Sequence, residues 1–296
     1  MVNGSNTDVS HLPASYRHAL LSLYTTVLIG GVLSMSLMIR MLKSNVCSVT
    51  ATAALNLIAV HILFLLTVPF RIYYYAADSW DLGQKFCKVV SAMIHAHMYL
   101  TFVFYSIILV YRHLTSFRPR QVESIYRRLH PLWASAAVWG LVLTVVIPVM
   151  VFNYGSLDHS NATTDNQCLH FGNIFSNREI TYAALNYTFS ALIIIVTLAL
   201  AVCQLWILGR VYRSHKGMIV GQQEFLAQIK SIYFMLVIIV CFVPYNTFRF
   251  YYVSNYNEDL EAKNEIALAF TTFCCFDMLI LIGKESFRPC DSICCV

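Results

Sequence analysis

The side chains able to do chemistry sit in an unusual setting. His61, His95, His97, Asp277 and the arginines Arg71, Arg112 and Arg249 each lie within or at the end of a long apolar run. An ionisable group there is expensive unless paired, and it marks a functional site by default. Intramembrane hydrolysis would call for paired aspartates or a His-Glu-x-x-His helix. Neither pattern is present, and Asp277 is the only acid deep in an apolar run. His95 and His97 are two apart, so on a helix they face different sides, and that spacing does not make a metal site. His97 reads as a packed histidine facing another helix. No catalytic group, metal or cofactor is expected. The pattern points to binding and switching.

The elements that must position these groups are membrane spans. A hydrocarbon core about 30 Å thick needs roughly 20 apolar residues in helix. Seven runs reach that length: 17–42, 49–76, 86–112, 131–152, 180–208, 229–253 and 264–283. Hydrophobic residues make up 58% of the chain and charged residues 12%, against about 25% charged in a soluble domain. The runs are continuous rather than alternating, so helices are expected and a barrel is not. The chain reads as an all-α membrane protein. A short segment 1–16 precedes a single bundle, 17–283, and a tail, 284–296, follows it. The first 16 residues are polar and lack a basic start before an apolar core, so the first span is expected to act as its own signal anchor.

Loop charge sets the orientation. With the N-terminus outside, 13 of the 20 lysines and arginines fall on the inner side. Ten acids fall outside and four inside. This is the positive-inside bias, and it places the C-terminus in the cytoplasm. The sequons at Asn3 and Asn161 both land outside, as glycosylation requires. Asn186-Tyr-Thr also matches, but it lies inside the fifth span, where no sugar is expected.

Two of the ten cysteines lie outside: Cys87 at the start of the third span and Cys168 in the longest outer loop. In an oxidising compartment a disulfide is the economical reading, with two free thiols as the alternative. Such a bond would pin the loop over the bundle mouth. Cys203, Cys241, Cys274 and Cys275 read as small apolar residues. Cys290, Cys294 and Cys295 follow the last span on the inner side and are palmitoylation candidates.

This pattern resembles the rhodopsin-like (class A) G-protein-coupled receptors across nearly the whole chain. Cys87 and Arg112 have the family's spacing along the third span. Trp139 and Pro148 resemble its fourth-span pair. Cys241-Phe-Val-Pro244 resembles the sixth-span Cys-Trp-x-Pro motif, with Phe242 for the tryptophan. Asp277-Met-Leu-Ile-Leu281 aligns with the seventh-span Asp/Asn-Pro-x-x-Tyr. Phe287-Arg288 resembles the start of a short amphipathic C-terminal helix. Val68-Pro69-Phe70-Arg71 and the stretch from Cys241 to Arg249 resemble the branch holding purinergic, protease-activated and some lipid receptors. The resemblance implies a multi-pass plasma-membrane receptor with two protein-side partners, an extracellular ligand and a heterotrimeric G protein. Membrane lipids are a further partner, and no nucleic acid is expected.

The departures fall at the family's switch positions. His61 stands where the family has an aspartate that holds sodium, and Gly31 replaces an asparagine. Gln204 replaces the fifth-span tyrosine. Tyr111 replaces the acid before Arg112. In family geometry His61, Thr101 and Asp277 converge near the midplane. Two readings stand there: a His61–Asp277 ion pair that leaves no need for sodium, or a neutral His61 bonded to a carbonyl. Arg112 is either a snorkelling anchor or the group that holds the inactive bundle and then meets the G protein. Without an acid at Tyr111 its restraint weakens, which implies ligand-free signalling. The missing tyrosine switches imply poor coupling instead.

The inward outer-half positions implied by the resemblance are Arg71, Tyr75, His95, Tyr99, Phe242, Tyr245, Asn246 and Arg249. Two arginines among aromatics suit an anionic amphipathic ligand, because guanidinium offers a planar fork to carboxylate or phosphate. Both could equally snorkel to headgroups, or pair with Asp78 or Glu258. The basic inner loop 113–130, with Tyr126-Arg-Arg, fits contact with anionic lipid or with a docked partner. Gly217 and Gly221 mark a flexible third inner loop. A transporter would show inverted repeats, which seven spans do not supply. A non-signalling seven-helix scaffold or chaperone is the remaining rival. The topology is tested with tags on intact cells. A tag at Met1 binds antibody without permeabilisation, whereas a tag at Val296 needs it.

Overall fold

Hydrocarbon offers the backbone no partner, so each apolar run must close its own hydrogen bonds as a helix. The computed structural model describes residues 13–42, 49–117, 131–153, 168, 179–214, 219–255 and 258–276. The fold is a seven-helix bundle, with no strand among the described residues. The first span is Ala14–Leu42 and the third Gln84–Phe117. The fourth is Pro131–Asn153 and the fifth Glu179–Ser214. Three spans change winding. The second runs Val49–Leu65, then Val68–Ala77, with Pro69 in the first turn of the second piece. The sixth runs Ile219–Val237, then a π-helical turn Ile238–Phe242, then Val243–Ser254, with Pro244 at the restart. The seventh runs Glu258–Thr271 and tightens to a 3₁₀ turn at Thr272–Phe276. Proline lacks the N–H that the ladder needs, and that is why the second and sixth spans break where they do. Five of these helices are long and apolar enough to cross a membrane among the described residues.

Several helices outrun the apolar stretches that predict them. The third extends to Phe117, the fifth to Ser214, and the sixth begins at Ile219. Hydropathy marks the lipid, while the hydrogen-bond ladder continues past it into polar sequence. The seventh begins at Glu258, so Glu261 and Glu265 belong to a helix and are buried, not solvated in an outer loop.

The third span is central: it packs against the second, fourth, fifth and sixth. The ring closes where the first span meets both the second and the seventh. Large apolar side chains that do not face the bundle face outward, among them Leu141, Ile195, Leu198, Val202 and Leu205. In lipid they need no cover. Asp78 ends the second span in the left-handed conformation, at φ 56°. Its carboxylate meets Arg17 at 2.5 Å.

Helix association in lipid depends on close packing, which favours small residues at contacts. Gly30 and Gly31 show this. A Cβ on Gly31 would meet Leu65 Cδ2 at 2.8 Å, and one on Gly30 would overlap the Phe276 ring at 1.7 Å. Gly31 therefore stands at a contact where the family's asparagine would not fit without repacking. Gly30→Ala must displace Phe276, at an overpacking cost of about 1–3 kcal/mol. A lowered melting temperature in detergent is expected for Gly30→Ala. Gly209→Ala, with open space around it, is expected to leave melting unchanged or raise it slightly.

Candidate functional site

At the outer mouth, two guanidinium groups are buried. Arg71 is 1% exposed and Arg249 7%. Arg71 Nη1 donates to the Tyr24 hydroxyl at 3.2 Å, and Nη2 to the Val90 carbonyl at 2.9 Å. Its guanidinium also lies 5.6 Å from the Tyr24 ring centre. Arg249 Nε donates to Asn186 Oδ1 at 2.7 Å, and Nη1 donates to the Tyr245 hydroxyl. These bonds go to neutral oxygens. Both arginines act electrostatically on His95, which stands on the third span and donates Nδ1–H to the Ser91 carbonyl at 3.2 Å. Tyr75 stacks on Tyr24 with ring centres 5.9 Å apart, and its hydroxyl donates to Glu265 Oε2 at 3.4 Å. The mouth therefore joins the first, second, third, fifth, sixth and seventh spans.

Arg71 and Tyr75 thus meet at Tyr24, and Arg249 meets Tyr245, with His95 under the electrostatic influence of both arginines. Tyr99 sits to one side, half-buried against Phe189. Asn246 does something different: its Nδ2 donates to the Phe242 carbonyl at 2.8 Å and braces the bend of the sixth span. Tyr24, Asn186 and Glu265 were missed. The signal for Asn186 was present, since a polar residue inside an apolar run needs a partner. As that partner it is buried, in keeping with the absence of sugar expected there.

Cys87 and Cys168 form the disulfide, with Cα atoms 5.8 Å apart and 81 positions between them in sequence. Tyr74 hydrogen-bonds the Cys168 backbone and so seats the loop against the second span. Trp80 lies beneath and donates Nε1–H to the Gly83 carbonyl at 2.9 Å. Gly83 holds φ +81°, which only glycine adopts easily.

At the midplane, His61 Nδ1 lies 2.9 Å from His97 Nε2, and Cys275 Sγ lies 3.4 and 3.6 Å from these two nitrogens. His97 therefore faces another helix, as its position predicts. Phe64 stacks on its ring at 4.3 Å. Cys274 joins the same group, with ligand atoms of all four residues within 4.8 Å of one another. His95 is not part of this group. The cluster is assembled across three spans, so spacing along one helix could not reveal it. Thr101 is also buried. Phe242 packs edge-on against Phe102, ring centres 6.1 Å apart.

At the inner end, Arg112 crosses from the third span to the sixth. Nη1 donates to Ser231 Oγ at 3.3 Å, and the guanidinium lies 5.5 Å from the Phe234 ring centre. Tyr111 beside it is half-buried. A second, neutral tie runs next to it. His113 Nε2 meets Gln204 Oε1 at 2.7 Å, and Gln204 Nε2 donates to Gln228 Oε1 at 3.0 Å. The glutamine that replaces the fifth-span tyrosine thus bridges the third and sixth spans.

Asn3, Asn161, Asp277, Cys290, Cys294, Cys295, Tyr126, Gly217 and the helix expected at Phe287-Arg288 lie outside the described residues. The bundle carries polar sites at its mouth, its midplane and its inner end, each held by ties between spans.

A sequence model of the 7 transmembrane receptor (rhodopsin family) matches residues 33–279. The human protein named probable G-protein coupled receptor 141 is 40% identical over 281 residues, 91% of this chain and 90% of the relative. Human lysophosphatidic acid receptor 4 is 29% identical, over 90% of this chain and 75% of its own. The N-arachidonyl glycine receptor of Bos taurus is 23% identical, over 92% and 83%. With the bundle, the disulfide and the arginine at the inner end of the third span in place, the chain belongs to the rhodopsin family of seven-transmembrane receptors.

Proposed function

We propose that this chain is a plasma-membrane receptor, N-terminus outside, that binds an anionic amphipathic ligand at its mouth and signals to a heterotrimeric G protein at its inner end. The observation that carries the reading is the pair of buried guanidiniums, Arg71 and Arg249, both acting electrostatically on His95. Charge in a bundle interior is costly, and a binding site is what repays it. The mouth's tyrosines supply the apolar walls that such pockets need around a few placed polar groups. Two relatives carry names that agree, one for lysophosphatidic acid and one for N-arachidonyl glycine, both acidic lipids.

The ligand acts by favouring one of two bundle states. Arg112 holds the third and sixth spans together through Ser231, a neutral hydroxyl rather than a carboxylate. A guanidinium bond to a neutral hydroxyl contributes about 1.5–3 kcal/mol and lacks the attraction of a paired carboxylate, so the inner end opens more readily and ligand-free signalling follows. His61 takes the place of the family's sodium-binding aspartate and turns to His97 and Cys275. Signalling is therefore expected to be insensitive to sodium. The rival reading, a non-signalling scaffold, predicts no nucleotide exchange at all.

Two tests follow. In a panel of long-chain lipids with phosphate, carboxylate or uncharged heads, Arg249→Gln and Arg71→Gln weaken the acidic members. A charged hydrogen bond contributes about 1.5–3 kcal/mol, roughly a 10–100-fold loss. Equal losses for the uncharged members would refute the anion site. In nucleotide-exchange assays with purified G proteins and no ligand, Ser231→Ala raises exchange by up to roughly 10–100-fold, from the same charged hydrogen-bond magnitude. Arg112→Ala abolishes exchange. Unaltered exchange in Arg112→Ala would remove the role assigned to it.

A further inference from the structure

We propose that His61, His97, Cys274 and Cys275 form a buried tetrahedral binding site for Zn2+ that joins the second, third and seventh spans. The four donors come from three helices and converge within 4.8 Å. All four residues are buried, none more than 1% exposed. Two imidazole nitrogens and two sulfurs are the donor set of structural zinc.

The spacing fits. Tetrahedral zinc, with bonds of about 2.0–2.1 Å to nitrogen and about 2.3 Å to sulfur, sets neighbouring nitrogen and sulfur ligands about 3.6 Å apart. Cys275 Sγ already lies 3.4 Å from His61 Nδ1 and 3.6 Å from His97 Nε2. The two nitrogens, 2.9 Å apart, need only open by about 0.5 Å to reach the tetrahedral edge. A hydrogen bond explains the histidine pair by itself. It does not explain why a second cysteine is brought to the same point.

Local structure prepares the donors. Cys274 and Cys275 lie in the 3₁₀ turn Thr272–Phe276. The turn is braced by Thr271 Oγ1 donating to the Leu268 carbonyl at 2.7 Å and Thr272 Oγ1 to the Ala269 carbonyl at 2.6 Å. The Tyr105 hydroxyl donates to the Cys274 carbonyl at 3.4 Å from the third span. Phe64 fixes the plane of the His97 ring.

Charge balance favours the assignment in lipid. Zinc binding releases the two thiol protons to solvent, and two thiolates then cancel the charge of Zn2+. The filled site is neutral, which is what a hydrocarbon interior requires. Filled, it clamps three spans and stabilises the bundle state in which they meet.

The test uses the full-length receptor, purified in detergent without chelator from cells grown with zinc. Elemental analysis is expected to find about one zinc per chain, as four protein ligands imply. A membrane-permeant chelator lowers the melting temperature, and added Zn2+ restores it. Substituting Co2+ gives the intense visible bands of a tetrahedral site together with thiolate-to-metal charge transfer. In Cys275→Ser the charge-transfer band weakens and zinc falls to background, as it does in His97→Ala. A Cys290→Ser/Cys294→Ser/Cys295→Ser variant keeps its zinc, which excludes the tail cysteines. The wild-type chelation and cobalt measurements stand even where a variant fails to fold. Wild-type receptor with background zinc, and melting that ignores both chelator and Zn2+, would overturn the proposal. So would copper in place of zinc, or zinc retained by both single variants.

Discussion

Lipid tails are as apolar as leucine, so burying an apolar side chain between two spans gives helices little reason to associate in a membrane. Close packing and polar ties must decide which helix meets which. The structure shows such ties at each level. Asn56 receives Trp139 Nε1–H at 2.9 Å and donates to Ser135 at 2.8 Å, holding the second span to the fourth. Arg249 reaches Asn186, Tyr75 reaches Glu265, and Gln204 links His113 to Gln228. The glycines at 30 and 31 add the close approach of the first span to the second and seventh. Each tie costs little in lipid because the alternative is an unsatisfied polar group.

That constraint also explains what could be read in advance. Span number was legible because it depends on a sum, the apolar length of a run. Which of a helix's sides faces its neighbours is not a sum. It depends on rotation, which tertiary packing sets. Asn186 therefore read as a sequon when it is the partner of Arg249. Glu261 read as an outer-loop acid because it precedes the apolar run 264–283, yet the helix carries it, with Glu265, into the bundle. His61 was legible as a departure, but its partners were not. His97 and Cys275 lie 36 and 214 positions away, and no local pattern connects them.

The three polar layers differ in chemistry. The mouth holds formal charge, with hydroxyl, amide and carbonyl oxygens bonded to its guanidiniums. The midplane holds soft nitrogen and sulfur donors with no carboxylate among the described residues. The inner end is tied by a guanidinium on a hydroxyl and, beside it, by an imidazole and two amides.

The irregular windings connect these layers. The π turn Ile238–Phe242 and the 3₁₀ turn Thr272–Phe276 pack against one another between the sixth and seventh spans. Such turns persist in lipid only where displaced carbonyls find other donors, and here Asn246 serves Phe242 while Tyr105 serves Cys274. The π turn divides the sixth span into two lengths. Arg249 lies on the outer length and Ser231, the partner of Arg112, on the inner one. A straight α-helix would carry a displacement of the outer length as rigid translation against every neighbour at once. A bent one lets the inner length swing by itself, with the guanidinium bond of Arg112 to Ser231 and the amide hydrogen bond of Gln204 to Gln228 as the ties that resist it.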